Sequence, residues 1–325
     1  MGLLSPFITL SKQHLIFPFY HGLWTFPLPH IEHVYQLLSP EQLEKDLDFL
    51  LRYYRPIGLD EVRKSINGAP FPRRNAFHLS FDDGLRSCYD WVRPILLKKG
   101  IPATFFLNTD FIDNRALFYR YKASLLVHAL QHAPPPTEKV KILSEIFHQK
   151  KLPLPKLSSL ILALPYQKRF MLDQIAETLH LDFSTFLNRE RPYMSSDQIQ
   201  KLLEDGFSLG GHSESHPYFS ELTVEEQVAE CINSVSYITN KWGLSYKVFA
   251  FPFTDWGVPQ SVFHKIYAQG IELSFGTAGL KQDEFPQNLQ RIPMEKRPGA
   301  RNTLWKAYSA YFPKALLNRN VVTHP

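Results

Sequence analysis

Phe77-His78-Leu79-Ser80-Phe81-Asp82-Asp83-Gly84 is the stretch on which the reading of this chain turns. Successive side chains of a strand point to opposite faces. Phe77, Leu79 and Phe81 therefore share one face, and His78, Ser80 and Asp82 share the other. A strand buried on both faces normally reads as a continuous apolar run. The polar face here predicts a strand that borders a functional lumen or cleft rather than a dry core. Gly84 ends it, a helix is expected from about Ser87 to Lys99 with Gly100 as its stop, and Ala103 to Leu107 reads as the next strand. Strand, helix, strand in that order points to α/β architecture with a parallel sheet.

The alternation continues outward on both sides. Leu15 to Tyr20 is the first strand candidate and ends at His21 and Gly22. Ser39 and Pro40 suit the N-cap and first position of a helix whose apolar stripe is Leu43, Leu47, Leu50 and Tyr54. From about 115 to 191 the strands cease, and only helical periodicity remains. Val140, Leu143, Ile146 and Phe147 make one stripe, and Met171, Ile175 and Leu179 another. This reads as a helical insertion in a single domain spanning residues 1–325. Alternation then resumes. Ser195 caps a helix through Glu204, and Phe207 to Leu209 is a short strand running into Gly210, Gly211 and His212. Thr223 and Glu226 form a capping box for a helix closed by Gly243. Lys247 to Phe253, Leu273 to Phe275 and Leu289 to Ile292 are further strand candidates.

Composition narrows the function classes. Of 325 residues, 44% are apolar, enough for a sizeable core. The formal charge of +5 comes without long blocks of one sign. Nucleic-acid binding would want a basic stripe on a recognisable module, and none is present. Cys88 and Cys231 are too few for a disulfide framework or a thiolate zinc site, and both fall in helical patterns as core thiols. Met1 to Leu10 lacks the basic start of a signal peptide, and no run approaches the ~18–20 apolar residues of a membrane span. A cytoplasmic protein is expected.

Two segments carry the chemistry: Ser80-Phe81-Asp82-Asp83-Gly84 and Gly211-His212-Ser213-Glu214-Ser215-His216-Pro217. Each follows a strand, at the carboxyl end where barrels and doubly wound sheets build their sites. Histidines four apart can face the same way on one helical turn. With one carboxylate they make a two-histidine, one-carboxylate set that leaves metal positions open to water and substrate. A metal lowers the pKa of bound water toward ~7, and the other carboxylate of the Asp-Asp pair can take its proton. Alone, each segment has a plain structural reading, as a turn or as local hydrogen bonding. Together they favour a metal site.

These two segments resemble the first two motifs of NodB-like polysaccharide deacetylases, carbohydrate esterase family four, whose usual forms are Thr/Ser-Phe-Asp-Asp-Gly and His-Ser/Thr-x-x-His. Tyr20-His21 and Lys99-Gly100-Ile101-Pro102-Ala103-Thr104-Phe105-Phe106 add to the match, which covers most of residues 15–114 and 193–295 and leaves the insertion outside. The resemblance implies a distorted (β/α)7 barrel and metal-dependent hydrolysis of an acetyl group, usually from an N-acetylated sugar. It implies Asp82 as general base, and Asp83, His212 and His216 as ligands of a divalent metal, with zinc expected. A backbone N–H near Phe253 would help to hold the oxyanion.

The later motifs depart from the family. Phe249-Ala250-Phe251-Pro252-Phe253 keeps an aromatic and proline but lacks the arginine that orients the catalytic aspartate, and Arg291 is the candidate substitute. The usual histidine acid is absent, leaving His21 and Asp255 as replacements; a supporting or core role is the plainer reading of His21. Two alternatives stand beside carbohydrate deacetylation: an amidase or cyclic-imide hydrolase on the same fold, and a non-catalytic carbohydrate-binding relative. The expected partner is a carbohydrate, either a polysaccharide or a lipid-linked or nucleotide-linked sugar met at the inner membrane face. Phe118-Tyr119-Arg120-Tyr121-Lys122 of the insertion is placed to cover such a substrate, or simply packs as a helix.

Overall fold

Strands and helices alternate through the first third of the chain: α1 (Ser5–Ser11), β1 (Leu15–Ile16), β2 (Pro18–Tyr20), α2 (Pro40–Leu51), β3 (Arg55–Pro56), α3 (Leu59–Ile66), β4 (Ala76–Phe77), β5 (Leu79–Phe81), α4 (Arg93–Lys99) and β6 (Ala103–Leu107). Five helices follow: α5 (Tyr119–His132), α6 (Thr137–Ile146), α7 (Leu154–Leu162), α8 (Phe170–Leu179) and α9 (Phe183–Glu190). Alternation returns with α10 (Ser196–Glu204), β7 (Ser208–Gly211), α11 (Val224–Trp242), β8 (Val248–Ala250), α12 (Gln260–Ala268) and β9 (Leu273–Gly276). The chain ends with β10 (Gln282–Asp283), β11 (Asn288–Gln290), β12 (Ile292–Pro293), α13 (Ala300–Leu316) and β13 (Val321–Val322). This is a computed structural model, and it describes residues 4–25, 27–36, 38–66, 68, 75–295, 299–317 and 319–325. The first three residues of the Met1 to Leu10 stretch thus lie outside the described residues.

The main sheet has eight strands, in the order β11-β9-β8-β7-β6-β5-β2-β12, and neighbouring strands are parallel throughout. Its two outermost strands are consecutive in sequence, with only Arg291 between them. The Arg291 N–H bonds to Gly276 O at one edge, and the next N–H, of Ile292, bonds to Phe17 O at the other. One stretch of chain therefore passes from one edge partner to the other at Arg291. Counted once, it is the seventh strand of a distorted (β/α)7 barrel, as the family resemblance implies. The predicted strands at Leu15 to Tyr20 and Phe77 to Phe81 are each interrupted. Their first halves, β1 and β4, form a separate small sheet with β3 in which β4 lies between β1 and β3, and their second halves enter the barrel.

Strand alternation decides what faces inward. Phe77, Leu79 and Phe81 are buried in the same cluster as Leu43, Leu47 and Leu50 of α2. Ser80 and Asp82 are also buried, but among polar partners. Gly210 and Gly211 have a steric reason. A Cβ on Gly210 would lie 2.5 Å from the Phe106 ring, and one on Gly211 would lie 2.8 Å from Val235 Cγ2.

Capping follows the sequence closely. Ser39 accepts the Gln42 N–H, and both Ser195 with Gln198 and Thr223 with Glu226 form complete capping boxes. The helix expected from Ser87 to Lys99 contains a π-helical turn over Cys88–Val92, where the Arg93 N–H reaches back to Cys88 O. Pro94 follows directly; it cannot donate to the i−4 carbonyl, and the wider turn absorbs the mismatch.

The chain forms two compact units: Met1–Thr25, Leu37–Asp113 and Tyr193–Pro325 carry the barrel, while Phe26–Gln36 and Asn114–Pro192 form a helical unit. Within the helical unit Leu143 and Ile175 are fully buried, as their stripes predict. Residues 118–122 do not offer the open surface expected of a substrate cover. Phe118, Tyr119 and Tyr121 are buried, Arg120 bonds to Leu162 O, and Lys122 pairs with Asp173 at 2.7 Å. Apolar rings at that spacing serve the unit's own core. Among the described residues, no helix is long and apolar enough to cross a membrane.

Candidate metal centre

β5 delivers the aspartate pair. The Asp82 N–H still bonds to Tyr20 O of the neighbouring strand. Asp83 and Gly84 then both turn into the left-handed region, at φ 71° and 65°. That turn separates the two carboxylates, and Gly84 supplies the second left-handed step at no Cβ cost. His212 follows β7, its N–H bonded to Leu107 O.

Asp83 Oδ1 lies 3.4 Å from His212 Nε2 and 3.1 Å from His216 Nε2, and one ligand atom from each of the three residues lies within 4.8 Å of the others. The histidines converge by a different route from the expected helical turn. Residues 212–216 form a loop in which Ser213 and His216 take φ values of 70° and 58°. Ser213 Oγ accepts the His216 N–H at 3.0 Å, and Glu230 on α11 accepts the N–H groups of Glu214 and Ser215. Asn108, just beyond β6, holds the carbonyl of His212. Glu230, Asn108 and Ser213 do the work that helical hydrogen bonds would have done.

The donor set fits a divalent cation. His212 Nδ1 sits 2.8 Å from Ala250 O, which accepts and does not donate, so the proton belongs on Nδ1 and a lone pair faces Asp83 from Nε2. A lone pair and a carboxylate oxygen facing each other repel unless a cation lies between them. A nitrogen anchored to a backbone carbonyl is also the usual support of a ligating imidazole. Burial pushes the His216 imidazole below its ordinary pKa, against the pull of Asp83. Burial alone would raise Asp83, but the neighbouring imidazoles hold it well below the usual carboxylate range. Neutral imidazole and ionised carboxylate are the forms that bind a metal.

Asp82 is turned the other way. Arg291 Nη1 donates to its Oδ1 at 2.7 Å and Nη2 to its Oδ2 at 2.8 Å, a two-pronged pairing between side chains only 1% and 2% exposed. The guanidinium also bonds to Ser80 Oγ and Gly276 O and lies over the Phe19 ring at 4.3 Å. Burial favours a neutral Asp82, but Arg291 outweighs it and keeps the carboxyl below its ordinary value. Asp82 Oδ2 lies 3.9 Å from His212 Nε2, so the paired carboxylate borders the three-residue cluster.

His21 stands at the end of β2 with Glu295 beside it. Glu295 accepts the His21 backbone N–H and pairs with Nδ1, both at 2.6 Å. Burial disfavours the charged ring, yet Glu295, with Asp83 and Asp82 adding to it, lifts its pKa to about 9. Its side chain is 22% exposed, against 1–5% for Asp82, Asp83, His212 and His216. Of these titratable groups, His21 is the one that reaches solvent.

The sequence profile of the family described as polysaccharide deacetylase matches residues 71–147 and 171–266, more than half of the chain. The chain belongs to the polysaccharide deacetylase family. The match reaches across part of the helical segment, which the motif resemblance left outside, and stops short of His21 and Arg291. Among solved structures, the Streptococcus pyogenes deacetylase PplD in complex with acetate is 14% identical, with a TM-score of 0.57 over 90% of this chain and 96% of that one. IcaB from Ammonifex degensii is 15% identical over the same shares, also at 0.57. The de-N-acetylase from Aggregatibacter actinomycetemcomitans is 14% identical, at 0.53 over 90% and 99%. At these identities the likeness is one of fold. No curated protein matches the sequence.

Two of the sequence candidates lie apart from the aspartate–histidine cluster or touch it only by a ring. Phe253 has φ 57°; its ring meets His216 edge-on at 4.6 Å and stacks on Tyr218 at 3.7 Å. Asp255 is 1% exposed, and its carboxylate accepts from Thr277 N, Asn288 Nδ2 and Gln290 Nε2. With Asp283 and His324 it forms a second group of metal-ligand types. That group is a hydrogen-bond network rather than a cation site. Asn288 and Gln290 turn their NH2 groups to both aspartates, and their oxygens are taken by Ser274 Oγ and Ala278 N. Donors fill the positions that a cation would need.

Sequence reasoning passed over Glu295 and Asn108. Glu295 follows Arg291 by four residues at the end of the same stretch, and that strand-end placement was the available signal. Asn108 acts through a backbone carbonyl, which leaves no motif.

Proposed function

We propose that this protein removes the acetyl group from an N-acetylated sugar, with Asp83, His212 and His216 holding a divalent metal, zinc by ligand preference, and Asp82 as general base. The observation that carries the reading is the buried two-pronged pairing of Asp82 with Arg291, beside a neutral-imidazole and carboxylate donor set. A binding protein has no use for an ionised, unliganded carboxylate held in place at the cost of burying an arginine. This favours catalysis over a purely carbohydrate-binding role.

When bound, the metal supplies Lewis-acid polarisation of the acetyl carbonyl and a water acidic enough to attack near neutral pH. Asp82, as general base, would take a proton from the attacking water. Arg291 fixes both of its oxygens, so the carboxylate cannot swing away, and the remaining lone pair of Oδ2 faces the His212 side. A backbone N–H near Phe253, whose ring meets that of His216, is assigned to the developing oxyanion. His21, kept protonated by its Glu295 partner and partly exposed, donates its proton to the leaving amine nitrogen. The carbon–nitrogen bond breaks, a carbon–oxygen bond forms, and acetate and a free amino sugar leave. Residues from about 115 to 191 are taken as an insertion within one deacetylase domain spanning residues 1–325.

The test is acetate release from N-acetylglucosamine oligosaccharides by the zinc-loaded protein, compared with Asp82→Asn. Acetate release that falls ~10²–10⁴-fold in the variant is expected. Undiminished turnover by Asp82→Asn would overturn the base, and faster turnover of small cyclic amides than of any acetylated sugar would overturn the substrate.

A further inference from the structure

The seam of the barrel is closed only toward the carboxyl ends of its strands. From Ile292 onward the 288–293 stretch is bonded to Phe17 and Phe19. Before Arg291 the two edges are not joined: β11 is paired to β9, and β1 to β4, but not to each other. A cavity of about 570 Å³ lies between them. Leu15, Ile16 and Phe17 line it on one side and Asn288, Leu289 and Gln290 on the other. That volume falls within the ~300–1,000 Å³ of small-molecule sites.

Packing marks the same place as open. In the core cluster behind these strands, every buried member is 2% exposed or less except Leu15, Phe17 and Leu289, at 9%, 8% and 8%. Those three are the buried members of the cluster that line the cavity, and half-buried Ile66 joins them there. The core thus keeps apolar surface uncovered at one spot, and covering it with a hydrocarbon chain is favourable.

The rim carries positive charge. Lys12, exposed after α1, and Lys281, half-buried before β10, both line the cavity. Neither ammonium forms an ion pair or hydrogen bond among the described residues. Asp283 also borders the cavity, but its carboxylate is taken up by the Phe285 N–H, Asn288, Gln290 and His324. Apolar walls beside two unpaired ammonium groups fit a molecule with a hydrocarbon chain and an anionic head.

We propose that this cavity binds a single-chain acyl carboxylate, its chain against Leu15, Phe17, Ile66 and Leu289 and its head at Lys12 and Lys281. Leu15 to Phe17 precede or begin the barrel strand β2, whereas Asp82, Asp83 and His212 follow the carboxyl ends of β5 and β7. The cavity is therefore separate from the metal centre and independent of the deacetylase reading.

Isothermal titration of the full chain with decanoate, below its micelle concentration, tests it. One saturable equivalent per chain is expected. Lys12→Gln/Lys281→Gln should weaken decanoate at least ~10-fold and leave decanol within about twofold, because only the charged head loses its partners. Ile66→Trp should fill the cavity and abolish binding of both. The two lysines reach solvent, so their variant should keep the wild-type circular dichroism. Sedimentation with phosphatidylglycerol vesicles separates this site from a membrane-docking face. Absence of saturable decanoate binding, an undiminished decanoate affinity in the lysine variant, or capture by vesicles without decanoate binding overturns the proposal.

Discussion

Replacing Arg291 by Met asks how much of this protein rests on one contact. The substitution removes both hydrogen bonds to Asp82, those to Ser80 Oγ and Gly276 O, and the charge over Phe19. Methionine fills much of the volume, so the main loss is electrostatic: Asp82 is left buried without its counter-charge. Breaking a buried pair from one side costs about 3–5 kcal/mol. At about 2–4 °C per kcal/mol for a unit of this size, the melting temperature should fall by roughly 6–20 °C. Asp82→Asn should cost less, because its amide oxygen still accepts from Arg291 and the guanidinium keeps its aromatic and carbonyl contacts.

The double variant Arg291→Met/Asp82→Asn decides the matter. It has no unpaired charge, so it should be more stable than the sum of the single losses predicts, by at least ~1 kcal/mol. The pH dependence adds a second check. Asp82 is held below its ordinary value in the folded protein, so its contribution is present above the unfolded value of about 3.9 and is lost as pH falls toward the folded value. The wild-type advantage over Arg291→Met should therefore shrink in acid. Denaturant titration of the four proteins at two pH values measures all of this. A single variant within ~1 kcal/mol of wild type, or strictly additive losses, would refute the idea that Arg291 holds the base.

Three further outcomes are expected. In the metal-free protein, proton titration of His21 by NMR should give a pKa near 9, and Glu295→Gln should lower it. The raised value means that the pair's stabilisation is complete below about 6.5 and disappears as pH rises through about 9; an ordinary His21 titration would sink the acid assignment. Gly276→Ala should destabilise by about 1–3 kcal/mol, because its Cβ would fall 2.1 Å from Asp255 Oδ2 in a packed network, and a neutral effect on unfolding would contradict that geometry. Trp256 is 78% exposed in the segment that follows the carboxyl end of β8, where an aromatic ring can stack on a sugar, so Trp256→Ala should raise KM for acetylated oligosaccharides several-fold and leave kcat unchanged; an unchanged KM would rule out that stacking.

How much was legible in the sequence depended on how local the physics was. Capping at Ser39, Ser195 and Thr223 needs only three or four residues, and those helix starts appear where the sequence puts them. The inward polar face of Ser80 and Asp82 follows from strand alternation alone. Strand interruptions at Phe17, His78 and Arg291 depend on which neighbour is in register, and no local pattern carries that. α3, α12 and α13 are helices that the sequence leaves unassigned; α13 packs against α2, distant in the chain, while α12 packs against its neighbour α11. The same division runs through the site. The spacing of His212 and His216 is readable, but the loop that brings them together is shaped by Glu230, Asn108 and Ser213, through backbone groups that leave no motif.

Arg291 shows why a missing motif residue need not mean a missing interaction. The barrel has one seam, where the 288–293 stretch leaves β9 and joins β2, and Arg291 is the residue at the change of partner. Its backbone N–H still bonds to Gly276 O, so the register that closes the barrel also fixes where the guanidinium enters the lumen. Strand alternation then turns Asn288 and Gln290 to the other face, where they bind Asp255 and Asp283. Four residues on, the same stretch supplies Glu295 to His21. One strand thus orients both the base and the assigned acid. A one-residue slip in its register would exchange its faces and remove both interactions together.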